Sequence, residues 1–136
     1  MTLKPFVILG AATLAACTLA PAEPDTSAAF GARAFQDKCA VCHGVNGTGA
    51  GVASLGLGGP PPDLTGLSAR NGGTFPRTEV MSVIDGFNRR SHPETAMPEF
   101  GAEGLGQPVQ VEQDGVSTPI PAELLALANY LETIQQ

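Results

Sequence analysis

The string Cys39-Ala40-Val41-Cys42-His43 sets two thiols three residues apart, with an imidazole directly behind the second. Each thiol can add to a vinyl group and close a thioether bond. The imidazole can then reach a metal ion held beside it. Three chemistries use such a pair of cysteines. A zinc site needs two further ligands, and of the remaining Cys and His residues only Cys17 and His92 could supply them. A redox dithiol accompanies a βαβ pattern, and none surrounds this segment. The abutting histidine selects the third chemistry, covalent attachment of a c-type haem through Cys39 and Cys42 with His43 as proximal iron ligand.

The N-terminus supports an exported chain. Pro5 to Ala16 is almost wholly apolar and follows the single charge of Lys4. These twelve residues fall short of the roughly 20 that a membrane-spanning helix needs, but they suit the apolar region of a secretory signal. Two cleavage sites fit. Leu14-Ala15-Ala16-Cys17 resembles a bacterial lipoprotein box, which would make residues 1–16 the signal and leave Cys17 as a lipidated N-terminus. Ala20-Pro21-Ala22 resembles an ordinary signal-peptidase site. The lipoprotein reading is favoured because the apolar run ends directly at the cysteine. Residues 17–26, rich in Ala, Pro and acidic side chains, read as a tether, and residues 27–136 as one domain.

Beyond Cys17 the chain carries 6 Lys+Arg against 13 Asp+Glu, a net charge of −7. That balance argues against nucleic acid and against anionic lipid as partners. Aromatics are few and Trp is absent, so the polypeptide alone offers a modest apolar core. A buried macrocycle would supply much of the missing volume.

The elements that must position the motif are mostly helical. Ser27 to Lys38 reads as a helix capped by Asp25 or Thr26. Gly44 to Pro62, with seven Gly and three Pro, reads as a loop. Thr78 to Asp85 reads as a helix capped by Thr78 and ended by Gly86, with Met81 on its apolar face. Phe87 to Gly106 has no period. Val109 to Thr118 alternates around Asp114-Gly115, a hairpin signal. Pro121 to Ile134 is the clearest helix: Pro121 suits its first turn, and Leu124, Leu127, Leu131 and Ile134 form one stripe.

This order of helix, CxxCH, glycine-rich loop, helix, methionine segment and terminal helix resembles the class I cytochromes c, from about Phe30 to the C-terminus. The resemblance implies an all-α fold, with three to four helices around one covalently bound haem; the alternation around Asp114-Gly115 adds a short β-hairpin before the last helix. It implies that the first and last helices cross at Gly31 and Phe35 against Leu127 and Tyr130. Added bulk at Gly31 should then be costly, and bulk at Gly47 in the loop much cheaper. Pro62-Asp63-Leu64 resembles the family segment whose proline carbonyl accepts a hydrogen bond from the proximal His. Arg70 stands where the family places an arginine near a haem propionate. Met97-Pro98 resembles the family's methionine loop, making Met97 the sixth iron ligand; His92 in the same segment is its rival. There are departures too. The loop after His43 is long, Trp is missing, and only Arg33, Lys38, Arg89 and Arg90 could line a basic docking edge.

The implied function is one-electron transfer between respiratory or periplasmic redox partners, on the periplasmic side of a bacterial membrane with a lipid anchor at Cys17. With His43 and Met97 both bound, the iron keeps no open position, so no enzymatic activity is expected. Two alternatives stand beside this reading. One is a haem subunit or docking module of a larger oxidoreductase complex; the other is a haem sensor or enzyme with a labile sixth ligand.

Overall fold

The computed structural model describes residues 22–57, 59–88, 97–113 and 115–136. Cys17 and the expected signal segment, Arg89, Arg90, His92 and Asp114 lie outside the described residues.

Helix α1 spans Ala28–Lys38. Its cap is Ser27, one residue beyond the expected Asp25 or Thr26: the Ser27 hydroxyl accepts from the Phe30 N–H at 3.2 Å. Asp25 supports that cap from outside, its Oδ1 accepting from the Ser27 N–H at 2.8 Å. The bonds to Ser27, with some help from Arg33, hold the Asp25 carboxyl below its ordinary range. The attachment motif continues as a single turn, α2, Ala40–His43, which Gly44 ends with φ 76°. A 3-10 turn at Val52–Gly56 and the short α3, Leu67–Arg70, interrupt the following loop.

Helix α4 spans Arg77–Asp85 and begins one residue before the expected Thr78. Thr78 lies inside the helix, and Pro76 stands at the N-cap without a side-chain bond. The start is set by a tertiary contact: the Arg77 guanidinium donates to Asn129 Oδ1 and pairs with Glu132 on the last helix. Gly86 ends α4 in the left-handed conformation, φ 102°, as its position predicts. The short α5 covers Phe100–Glu103.

Strands β1, Pro108–Gln113, and β2, Val116–Pro121, form an antiparallel hairpin in which Val109 faces Ile120 and Val111 faces Thr118. Gly115 takes φ 77° at the turn, which explains the Asp-Gly signal. The last helix, α6, covers Ala122–Thr133, with Pro121 at the N-cap rather than in the first turn. Two of its unpaired N–H groups are satisfied by the preceding loop: Ala122 donates to the Gln107 carbonyl and Glu123 to the Leu105 carbonyl, both at 3.0 Å.

α1 and α6 cross at close range, as expected. A Cβ built on Gly31 would run into the Ala126 carbonyl and lie 2.9 Å from Tyr130 Cβ. The Phe35 and Tyr130 rings meet at 5.3 Å between centroids, and Phe35 and Leu127 are each only 1% exposed. Gly31 is thus the place where the backbones touch, and the aromatic pair fills the flank. α4 and α5 close the core with Val80, Ile84 and Phe100, and Met81 packs against it as expected.

Gly47 is not the tolerant loop position expected of it. It is buried, has φ +76°, and a Cβ there would sit 3.1 Å from Ile134 Cδ1. Its carbonyl accepts from the Leu64 N–H at 2.7 Å, so the loop is zipped to the chain after Pro62.

Candidate cofactor site

The cavity between α2, the proline segment, α4 and Met97 has a volume of about 470 Å³, within the size range of cofactor sites. Cys39 and Cys42 stand on its wall, delivered by the turn that joins α1 to α2. Burial pushes the Cys39 thiol up to about 11, with Glu123 and Cys42 adding to the rise and Lys38 opposing it. At neutral pH this thiol is uncharged. A thioether in its place would be uncharged as well, so alkylating the sulfur adds no charge to this buried wall.

His43 also lines the cavity and is half-buried. Its Nδ1 lies 3.4 Å from the Pro62 carbonyl oxygen. A carbonyl can only accept, so a hydrogen bond here would be donated by Nδ1–H, the tautomer that can ligate a metal through Nε2. Pro62 is therefore the proline that faces the ring, in the expected register among three consecutive prolines. The segment is held by Leu64 N–H donating to Gly47 and by Gly49 N–H donating to the His43 carbonyl at 2.7 Å. Gly49 has room for no side chain there, because a Cβ would meet the Pro61 carbonyl.

Met97, Pro98 and Phe100 contribute to the wall together with Val80, Val83 and Ile84 of α4. Met97 is partly buried against the core. Arg70 is exposed and is not part of this wall; its Nη2 donates to the Asp63 carbonyl, beside Pro62. Asp63 in turn caps Thr65, accepting from its hydroxyl at 2.7 Å and its N–H at 2.8 Å. These bonds, and to a smaller degree Arg70, hold the Asp63 carboxyl below its ordinary range.

A family model described as Cytochrome c matches residues 28–135. The chain belongs to the cytochrome c family. It is a class I c-type cytochrome, with covalently bound haem c and its iron, and it works by haem-based electron transfer with redox partner proteins. No curated protein and no solved structure is similar to this cytochrome at a significant level. The residues fit the cofactor: one largely apolar cavity gathers two thiols, an imidazole whose Nδ1 faces a carbonyl, and a thioether.

Two features of the cytochrome's site carried no sequence signal. The C-terminal Gln135 binds the proline segment, its Nε2 donating to the Leu64 carbonyl at 2.9 Å and its Oε1 accepting from the Ser68 N–H at 2.8 Å. A glutamine after a helix has no pattern that announces such a role. Lys38 lines the cavity and pairs with Glu123 at 2.8 Å; the sequence marks Lys38 as a candidate for a basic edge, but nothing local pairs it with Glu123. Among the described residues, no helix is long and apolar enough to cross a membrane.

Proposed function

We propose that this cytochrome carries single electrons between redox partners on the periplasmic side of a bacterial membrane, with haem c joined to Cys39 and Cys42 and its iron held between His43 and Met97. The observation that carries the reading is the shared cavity wall of both thiols, the imidazole and the Met97 thioether. The bound iron supplies the one-electron couple. His43 would hold the iron while the Pro62 carbonyl orients its ring, and Met97 would offer a soft, neutral donor that favours the reduced state. The apolar wall works in the same direction, because a low-dielectric surrounding disfavours the more charged oxidised state. If His43 and Met97 both hold the iron, no position would remain for a substrate, which supports a carrier rather than an enzyme.

The export signal and the Leu14-Ala15-Ala16-Cys17 box support a lipid anchor at Cys17. Among the described residues, docking through a basic ring has little support. Lys38 is paired with Glu123, and Arg33 faces Asp25 at 3.7 Å. A second reading, a haem subunit of a larger oxidoreductase complex, draws on Val41, Val45, Val52 and Leu55. These exposed apolar side chains follow one another in the chain around the attachment motif, with Val52 80% and Leu55 92% exposed. Co-purification with a dehydrogenase or oxidase subunit separates the two.

The ligand assignment is tested by the ferric absorption spectrum. The wild type should show the red-edge band of Met-ligated ferric iron, and Met97→Leu should abolish it. Met97→His should keep low-spin iron and lower the potential, since imidazole donates more strongly than thioether. Survival of the band in Met97→Leu would assign the ligand to another residue.

A further inference from the structure

The contact between His43 Nδ1 and the Pro62 carbonyl is 3.4 Å long, near the outer limit of a hydrogen bond. A displacement of a few tenths of an ångström decides whether it is made. What holds the Pro62 carbonyl in place therefore governs how strongly His43 can donate.

One residue far away in the chain binds the segment that follows Pro62. Gln135 Nε2 donates to the Leu64 carbonyl at 2.9 Å and to the Leu131 carbonyl at 2.7 Å, while its Oε1 accepts from the Ser68 N–H at 2.8 Å. The side chain thus clamps both ends of the Leu64–Ser68 stretch to the end of α6. The Gln136 N–H adds a backbone bond to the Thr65 carbonyl at 3.0 Å. On its other side the same stretch is tied by Leu64 N–H to Gly47, in the loop that leaves His43. Leu131, whose carbonyl receives the second Nε2 bond, lines the cavity itself.

We propose that Gln135 is a positioning residue for His43, acting through the Leu64–Ser68 clamp and the Pro62 carbonyl to set the donor strength of the imidazole and hence the potential of the haem. The inference rests on His43 being the proximal ligand. A firm Nδ1–H bond makes the imidazole more basic and favours the oxidised iron. Releasing the clamp weakens that bond and favours the reduced iron.

The test uses uncharged variants of the holoprotein, so that no new charge acts on the iron. Gln135→Met keeps the length and loses every polar contact. Gln135→Asn is milder and keeps an amide that is too short to span Leu64 and Ser68 together. Asn129→Leu is the control, because it cuts bonds of the same helix to Thr26 and Arg77 instead. Removing outer partners of metal ligands costs about 10–100-fold in affinity. Since the clamp is one step further out, we expect about a threefold shift of the oxidised-to-reduced equilibrium in Gln135→Met, roughly 30 mV upward at about 59 mV per tenfold. Gln135→Asn should move part of the way. Asn129→Leu should lower thermal stability and leave the potential unchanged. Proton NMR of the ferric proteins reports the imidazole directly, and its shifted ring resonances should move only in the Gln135 variants. If Gln135→Met loses stability but keeps the potential and the imidazole resonances of the wild type, the residue is only structural and the proposal fails. Equal potential shifts in Gln135 and Asn129 variants would overturn it too. If the wild type itself shows no ligated imidazole, the reading of His43 fails first and this inference falls with it.

Discussion

Replacing Gly31 by alanine sets two physical effects against each other, and the structure decides the sign. Gly31 lies within α1, where alanine is favoured over glycine by about 1 kcal/mol on intrinsic helix propensity. Propensity alone therefore predicts a stabilised protein. The geometry predicts the reverse. The new Cβ would sit 2.5 Å from the Ala126 carbonyl carbon and closer still to its oxygen, where real Cβ contacts do not fall below 3.0 Å. That carbonyl belongs to the backbone of α6 and cannot rotate aside as a side chain could. The two helices must separate by more than half an ångström. Separation loosens Phe35 against Tyr130 and Leu127, all packed at this crossing. A radial gap of about 0.5–1 Å forfeits a quarter to a half of each pairwise attraction. Overpacking of this kind costs about 1–3 kcal/mol, and a rigid backbone neighbour puts the site at the upper end. After the propensity gain the net loss is about 2 kcal/mol. In a domain of this size that is about 8 °C in melting temperature, at the lower bound of roughly 4 °C per kcal/mol. Gly56→Ala is the control, since nothing lies within 4 Å of a Cβ there, and it should change stability by less than about 0.5 kcal/mol. Denaturant unfolding of the holoproteins, followed by far-UV circular dichroism, reads both. A Gly31→Ala midpoint equal to or above the wild type would refute the close crossing.

The remaining predictions concern the cofactor bonds, the anchor and acid stability. Haem should stay with the wild-type polypeptide after denaturation and extraction with acidic acetone, while Cys39→Ala or Cys42→Ala should leave at most one thioether and little holoprotein. Cys17→Ser should move the protein from the membrane to the soluble periplasmic fraction; a wild type already soluble, with Glu23 at its N-terminus, would assign cleavage to Ala22 instead. The bonds from Thr65 hold the Asp63 carboxyl below the ordinary carboxylate range, so its contribution to stability is present above the unfolded value and fades as pH falls through the lower folded one. Asp63→Asn should therefore melt below the wild type at pH 7, and the gap should narrow as acid protonates the carboxyl; a gap independent of pH would show that the charge is not what matters.

What could be read ahead of the structure was whatever rests on local chemistry. CxxCH is a five-residue constraint, Asp114-Gly115 marks a tight turn, and Gly86 supplies the left-handed end of α4. The crossing of α1 and α6 was accessible because Gly31, Phe35, Leu127 and Tyr130 match the positions at which the family's first and last helices meet. Failures appear where a distant element intervenes. Thr78 looked like a cap because it is a good one, yet Arg77 is drawn into the helix by Asn129 and Glu132, more than fifty positions on. Gly47 looked like a free loop residue because neither its positive φ nor the approach of Ile134 is written locally. Ala126, whose carbonyl makes the contact with Gly31, carries no side-chain signal at all. Gln135 is invisible for the same reason, since its bonds go to backbone groups of a segment some seventy residues earlier.

Several side chains belong to two structures at once, and this ties folding to cofactor binding. Val80, Ile84, Phe100 and Leu131 are members of the packed core and also form the cavity wall, while Cys39, Leu64 and Met97 pack against the core from that wall. The cavity is thus one face of the core. The cavity, about 470 Å³, opens to the surface, so without the cofactor its apolar wall would face water. A chain without Trp and with six Phe and one Tyr has little with which to fill such a space by repacking. The haem would therefore complete the core as well as supply the redox couple, against an apolar wall shared with the fold. Loading the cofactor and folding the chain are in this sense one process. It follows that the glycine-rich loop can be long without loosening the site. Its backbone is pinned at several points: Gly47 accepts from the Leu64 N–H, Gly49 donates to the His43 carbonyl, and Gly51 donates to the Cys42 carbonyl.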